Sequence, residues 1–109
     1  MNRKNIAEHA AFSADKMQKV NLFETPKFFC DLYCLQPGQD QKIHSHADNA
    51  KLYLVQKGRA KVTVGDTDHD VGEGEIVFAP AGEPHGVINE SSADLVCVVF
   101  MAPPPSFKG

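Results

Sequence analysis

From residue 27 onward, short runs rich in Val, Ile, Leu, Phe and Tyr alternate with clusters of Gly, Pro, Asp and Asn, a new run arriving every eight to twelve residues. That rhythm predicts an all-β sandwich or barrel. Strands are expected at 27–35, 41–46, 51–57 and 59–64, then at "TDHDV" (67–71), "EIVFA" (75–79), "HGVIN" (85–89) and "LVCVVFM" (95–101), which makes eight, all compatible with antiparallel pairing. The run "RAKVTV" alternates cleanly: Ala60, Val62 and Val64 share one face, and Arg59, Lys61 and Thr63 the other, as in a half-buried strand. By contrast "KLYLV" and "LVCVVFM" are apolar on both faces. Their outer sides therefore need a cover: another sheet, the N-terminal segment or a second subunit, so a homodimer is expected.

Residues 1–22 have no clear period beyond "NIAEHAAF", which suits one short helix. They are assigned to an N-terminal arm, residues 23–103 to the barrel domain, and 104–109 to a tail. The proline run "APPPS" leads into that tail and cannot continue a ladder, because proline lacks the N–H donor. A chain of 109 residues is long enough for a single core. Its composition, 42% hydrophobic and 23% charged, excludes a disordered or fibrous chain. The charge of -3 is spread without basic clusters, which argues against nucleic acid as a partner. No apolar segment approaches the roughly 20 residues of a membrane span, and the start lacks an apolar signal core. A cytoplasmic protein without membrane partners is expected.

The three cysteines, Cys30, Cys34 and Cys97, are too few for a disulfide framework. On one strand Cys30 and Cys34 would lie about 13 Å apart, beyond disulfide reach. Small buried apolar side chains are the expectation for all three.

The candidate chemistry is histidine chemistry. His44 and His46 alternate along a strand and so share a face, with Cβ atoms roughly 7 Å apart, a separation that suits one metal ion. Three protein ligands with open positions is the usual plan of a catalytic metal centre. His85, which follows the tight turn "PAGEP" and begins a strand, is the candidate third ligand. His9, in the arm, and His69, on a short polar strand, are expected at the surface.

Gly38, His44, His46 and Gly58 stand at the spacing G-x5-H-x-H-x11-G, and Gly74, Pro80, Gly82, His85 and Asn89 at G-x5-P-x-G-x2-H-x3-N. These resemble the two signature motifs of the cupin family over residues 30–101, the second at every defined position and the first at all but one. The resemblance implies an antiparallel jelly-roll barrel in which the three histidines converge on an internal divalent metal. Gly38, Gly58 and Gly82 would then occupy turns that favour positive φ.

The departure lies in the first motif. Where the family pattern carries a glutamate as fourth ligand, four or five residues after the second histidine, this chain has Ala50 and Lys51. A dication and an ammonium about 4 Å apart repel by roughly 8 kcal/mol at an effective dielectric of about 20. The lysine therefore points away, sheds its proton as buried lysines do, or shares the site with an anion. Asp48 would replace the acid if strict alternation continued past His46, although "ADNA" reads as a turn. Lys51 is either a strand-start lysine with its head in solvent or a pocket group that holds an anion or moves a proton. Tyr53 shares its face and could donate a hydrogen bond to a ligand.

Two functions follow as expectations. One is a metal-dependent oxygenase, isomerase or decarboxylase that holds Fe, Mn, Ni or Zn on His44, His46 and His85 and acts on a small oxygen-rich metabolite. The other is a metal-free binding module that holds a small anion with Lys51 and the histidines.

Overall fold

The computed structural model describes residues 2–104, so the expected tail lies, beyond residue 104, outside the described residues. Its elements in chain order are α1 (Ile6–His9), β1 (Gln18–Thr25), β2 (Phe28–Leu35), β3 (Asp40–His44), β4 (Ala50–Lys57), β5 (Ala60–Val64), β6 (Thr67–Val71), β7 (Ile76–Ala79), β8 (His85–Ile88) and β9 (Leu95–Ala102). Eight of the strands coincide with the expected runs to within two residues at each end. The ninth, β1, corrects the arm boundary, because residues 18–22 belong to the barrel and pair with β2. Its register shifts between Asn21 and Phe23, so that the consecutive Leu22 and Phe23 both join one apolar cluster and the period of two is hidden.

The strands form two antiparallel sheets, one in the order β1-β2-β9-β4-β7 and one in the order β3-β8-β5-β6. This is a jelly-roll: each sheet buries one face against the other. Tyr33, Leu35, Tyr53, Val55, Val62, Val87, Leu95 and Val99 fill the space between them. The expected alternation in "RAKVTV" holds, with Ala60 and Val62 buried. Gly58, at φ +88°, closes the β4–β5 turn, and a Cβ there would stand 2.5 Å from the carbonyl oxygen of Asp94. Asn89 is fully buried and donates to the carbonyls of Leu35 and Ala93, so this motif position pins the loop that leads into β9.

The outer face of the larger sheet is covered in part. Ile6, Ala10 and Phe12 from the arm pack on Leu22, Leu32, Cys34 and Val96. At the other end the apolar face stays open: Ile76 and Phe78 on β7 are 58% and 57% exposed, next to Leu54 and Leu52 on β4. All three cysteines are free thiols, and among the described residues no helix is long and apolar enough to cross a membrane.

The arm-covered cluster should carry a measurable share of stability. Leu32 has no exposed surface, and Leu32→Ala is expected to lower unfolding free energy by roughly 2–5 kcal/mol in urea titrations. A loss well below that range would mean that the arm does not seal this face in solution.

Candidate metal centre

β3 and β8 are neighbours in the smaller sheet, and their register sets His44 directly opposite His85. Gln41 and His44 are three residues apart, so in a regular strand they would face opposite ways. A register shift between them turns both side chains inward. Gly86 permits the close approach of the bulge, since a Cβ there would lie 2.8 Å from the Gln41 carbonyl oxygen and 3.0 Å from the Ile43 Cα. His46 lies just past the end of β3, where its carbonyl accepts a hydrogen bond from Gly82 N–H at 2.8 Å. That bond ties the loop after β3 to the turn that presents His85.

The three rings meet. Centroids are 4.6 Å apart for His44 and His85, 4.9 Å for His44 and His46, and 5.7 Å for His46 and His85. One ligand nitrogen from each lies within 4.8 Å of the others. Three nitrogens at metal-bond length from one ion stand about 3.0–3.4 Å apart, a closure within reach of imidazole torsions.

The tautomers are fixed by the backbone. His44 Nδ1 lies 2.8 Å from the Lys42 carbonyl oxygen and His85 Nδ1 lies 3.0 Å from that of Glu83. A carbonyl only accepts, so each Nδ1 carries the proton and each Nε2 keeps its lone pair, as in a metal-ligating histidine. Among the described residues, His85 Nε2 is buried and has no hydrogen-bond partner. An orphaned lone pair beside two other imidazoles fits a cation. Desolvation, with the nearby Lys51 and histidine charges, pushes His85 down from 6.5 to about 4, against a smaller upward pull from the Glu83 carbonyl. His46 is lowered too, by burial first and then by the charges of His44, Lys51 and Lys19. Both rings are neutral at pH 7, the form that binds metal.

Lys51 does not reach solvent: it is 1% exposed, inside the barrel. Its Nζ donates to Gln41 Oε1 at 3.1 Å and lies 5.0 Å from the ring centroids of both Tyr33 and Tyr53. Burial, reinforced by Lys19 and opposed by Asp31, lowers the amine from 10.5 to about 7. Tyr53 O–H donates to the same Gln41 oxygen at 3.4 Å, and Gln41 Nε2 donates to the Tyr33 hydroxyl at 3.1 Å. Desolvation raises both phenols, Tyr33 to about 12. Gln41 and Tyr33 escaped the reading of the sequence. Alternation gave no sign of Gln41 because the bulge changes the phase of β3 after it.

Asp48, considered above as a fourth ligand, is corrected by its position. It stands exposed in the turn after His46 and outside the converging cluster, because that turn ends the strand alternation. His69 is exposed, and His9 is occupied with the Asn5 carbonyl beside the arm helix.

Comparison with known proteins agrees with this fold. Residues 31–101 match the family model described as a cupin domain. An uncharacterized protein of Streptomyces coelicolor is 37% identical over 75 residues, which cover 69% of this chain and 70% of that protein. The crystal structure of TT1209 from Thermus thermophilus superposes with a TM-score of 0.92 at 39% identity, covering 94% of this chain and 98% of that one. The oxalate decarboxylase OxdC of Bacillus subtilis is 34% identical over 58 residues, 49% of this chain but only 15% of OxdC.

Two groups with depressed values make stability rise with pH. Between about 4 and 6.5 the unfolded chain binds a proton that folded His85 refuses, so stability falls as pH drops through that window. Between about 7 and 10.5 Lys51 acts in the same direction. In metal-free protein, the melting temperature should therefore drop from pH 6.5 to 4, and His85→Gln should flatten that drop. Lys51→Met should raise the melting temperature at pH 7 and narrow the gain between pH 7 and 10. An unchanged profile in either variant would mean that the side chain is solvated. Gly86→Ala, which forces β3 and β8 apart beneath His44 and His85, should weaken binding of divalent zinc or nickel by about tenfold or more; unchanged affinity would mean that the bulge does not position the ligands.

Proposed function

The chain belongs to the cupin family, and on that premise we propose that it is a small metal-dependent cupin. His44, His46 and His85 hold one divalent ion in this reading, and the open positions take a small oxygen-rich metabolite. The single observation that supports it most is the buried His85 Nε2, which lacks a hydrogen-bond partner among the described residues and lies beside two further imidazoles. Iron, manganese, nickel and zinc all suit imidazole ligands. A bound ion supplies Lewis-acid polarisation of a substrate oxygen or activation of dioxygen.

Oxygenase, isomerase and decarboxylase reactions share that requirement, and the likeness to oxalate decarboxylase lends support to the last. Lys51 is the candidate for proton transfer, since an amine near 7 exchanges protons readily at neutral pH. Tyr53, with its hydroxyl engaged on Gln41, is the candidate for positioning it. The metal-free reading, a barrel that holds a small anion with Lys51 and the histidines, draws on the absence of any carboxylate within ion-pair distance of Lys51 among the described residues.

The open apolar face supports a homodimer. Outward positions on β4, β7 and β9 include Leu52, Leu54, Ile76, Phe78, Val98 and Phe100 in direct cross-strand register, with no charged side chain among them. An uncharged face of this kind complements a second copy of itself.

Elemental analysis after purification should find close to one equivalent of a divalent metal, lost when His44 and His85 are both changed to Ala. Absence of metal, even after incubation with each of the four ions, would leave only the binding-module reading. Lys51→Glu should tighten zinc or nickel binding by about tenfold or more, because it replaces a repelling ammonium with a fourth ligand. Sedimentation should show a dimer that Phe78→Asp converts to monomer; a wild-type monomer would overturn the dimer.

A further inference from the structure

A recess of about 540 Å³ opens beside His44 and His46, and Lys51 forms part of its wall. Its charged lining is unbalanced: Lys19, Lys42 and Lys51 face a single acid, Asp31. Burial raises the carboxyl of that acid, against a smaller downward pull from the Asn21 amide that donates to it at 2.8 Å, and no lysine lies within ion-pair distance of it among the described residues. Lys51 uses one of its three donors, on Gln41. A buried ammonium without a carboxylate partner is among the least stable arrangements in a protein interior.

From this geometry we infer that the recess is a carboxylate-binding site, in which Lys51 donates to the anionic head of a small organic acid and the Tyr33 hydroxyl adds a second hydrogen bond. The inference deepens the proposed function by naming the substrate class. It rests on that reading only for the location of the ligand.

Three features favour a carboxylate over a phosphate. The donor is a single ammonium, 5.0 Å from the ring centroids of Tyr33 and Tyr53, and one buried positive charge matches a singly charged carboxylate better than a doubly charged phosphate. No arginine lines the recess, and phosphate recognition usually draws on a fork of donors or several backbone N–H groups. The Tyr33 oxygen already accepts from Gln41 Nε2, so its own O–H is free to donate into the recess it lines. Lys19 Nζ lies 5.5 Å from the Tyr33 ring centroid and, with Lys42, draws an anion toward the recess.

The test is titration calorimetry on the full chain, stripped of metal and dialysed into fixed chloride. Two acid and amide pairs serve as probes: glycolate with glycolamide, and malonate with malonamide. Inorganic phosphate is the third probe. At least one carboxylate should bind about tenfold or more tighter than its amide and tighter than phosphate. Lys51→Met should abolish that preference, and Lys51→Arg should keep most of it, with circular dichroism reporting an unchanged fold for both. Equal binding of acid and amide, tighter binding of phosphate, or full carboxylate binding by Lys51→Met would each overturn the inference. Failure of both carboxylates to bind at millimolar concentration would do the same. The acid and amide comparison on the unsubstituted chain needs no variant to fold. Metal affinity, measured separately on the same samples, distinguishes loss of this inference from loss of the metal reading.

Discussion

The interior of this small barrel brings together three imidazoles and one amine with no carboxylate within ion-pair distance among the described residues. Each imidazole nitrogen that faces inward from His44 and His85 carries a lone pair, because the backbone takes the proton on the opposite side of the ring. That of His85 is buried away from water and has no hydrogen-bond partner among the described residues. Lone pairs in a dry space call for a cation, whereas Lys51 in the same space calls for an anion. The two demands are compatible only when a ligand carries both, as a metal with an organic acid does, or when the lysine is neutral. The lowering of Lys51 to about 7 leaves both states populated near neutrality.

The scaffold is organised around that interior. A bulge in β3 brings Gln41 and His44 to the same side, and the lack of a side chain at Gly86 lets β8 approach closely enough to set His85 opposite His44. The bond from Gly82 to the His46 carbonyl joins the two motif loops, so that the third ring does not depend on strand pairing for its place. On the opposite sheet β4 delivers Lys51, Tyr53 and Val55 inward in strict alternation, which is why a lysine at a ligand position ends up buried rather than solvated.

Much of this was legible in the sequence, for stated physical reasons. Strands β2 to β9 announce themselves because their apolar runs are bounded by turn residues, and the histidine set is legible through its spacing to Gly38, Gly58 and Gly82. What escaped detection lies where regular alternation fails. The irregularity at Asn21 and Phe23 hid β1, the bulge after Gln41 hid the polar hub of the pocket, and the turn at Ala47 and Asp48 removed a carboxylate that unbroken alternation would have placed inside. The orientation of Lys51 was undetermined for a different reason: a lysine stem packs equally well whether its head turns to solvent or to a cavity.

X-ray absorption spectroscopy on the metal-loaded protein tests the central claim most directly, because it counts imidazoles around the ion without reference to activity. Three histidine nitrogens at about 2.0–2.1 Å are expected for zinc. A bound ion with one or no imidazole in its shell would contradict the convergence of His44, His46 and His85 on a single centre.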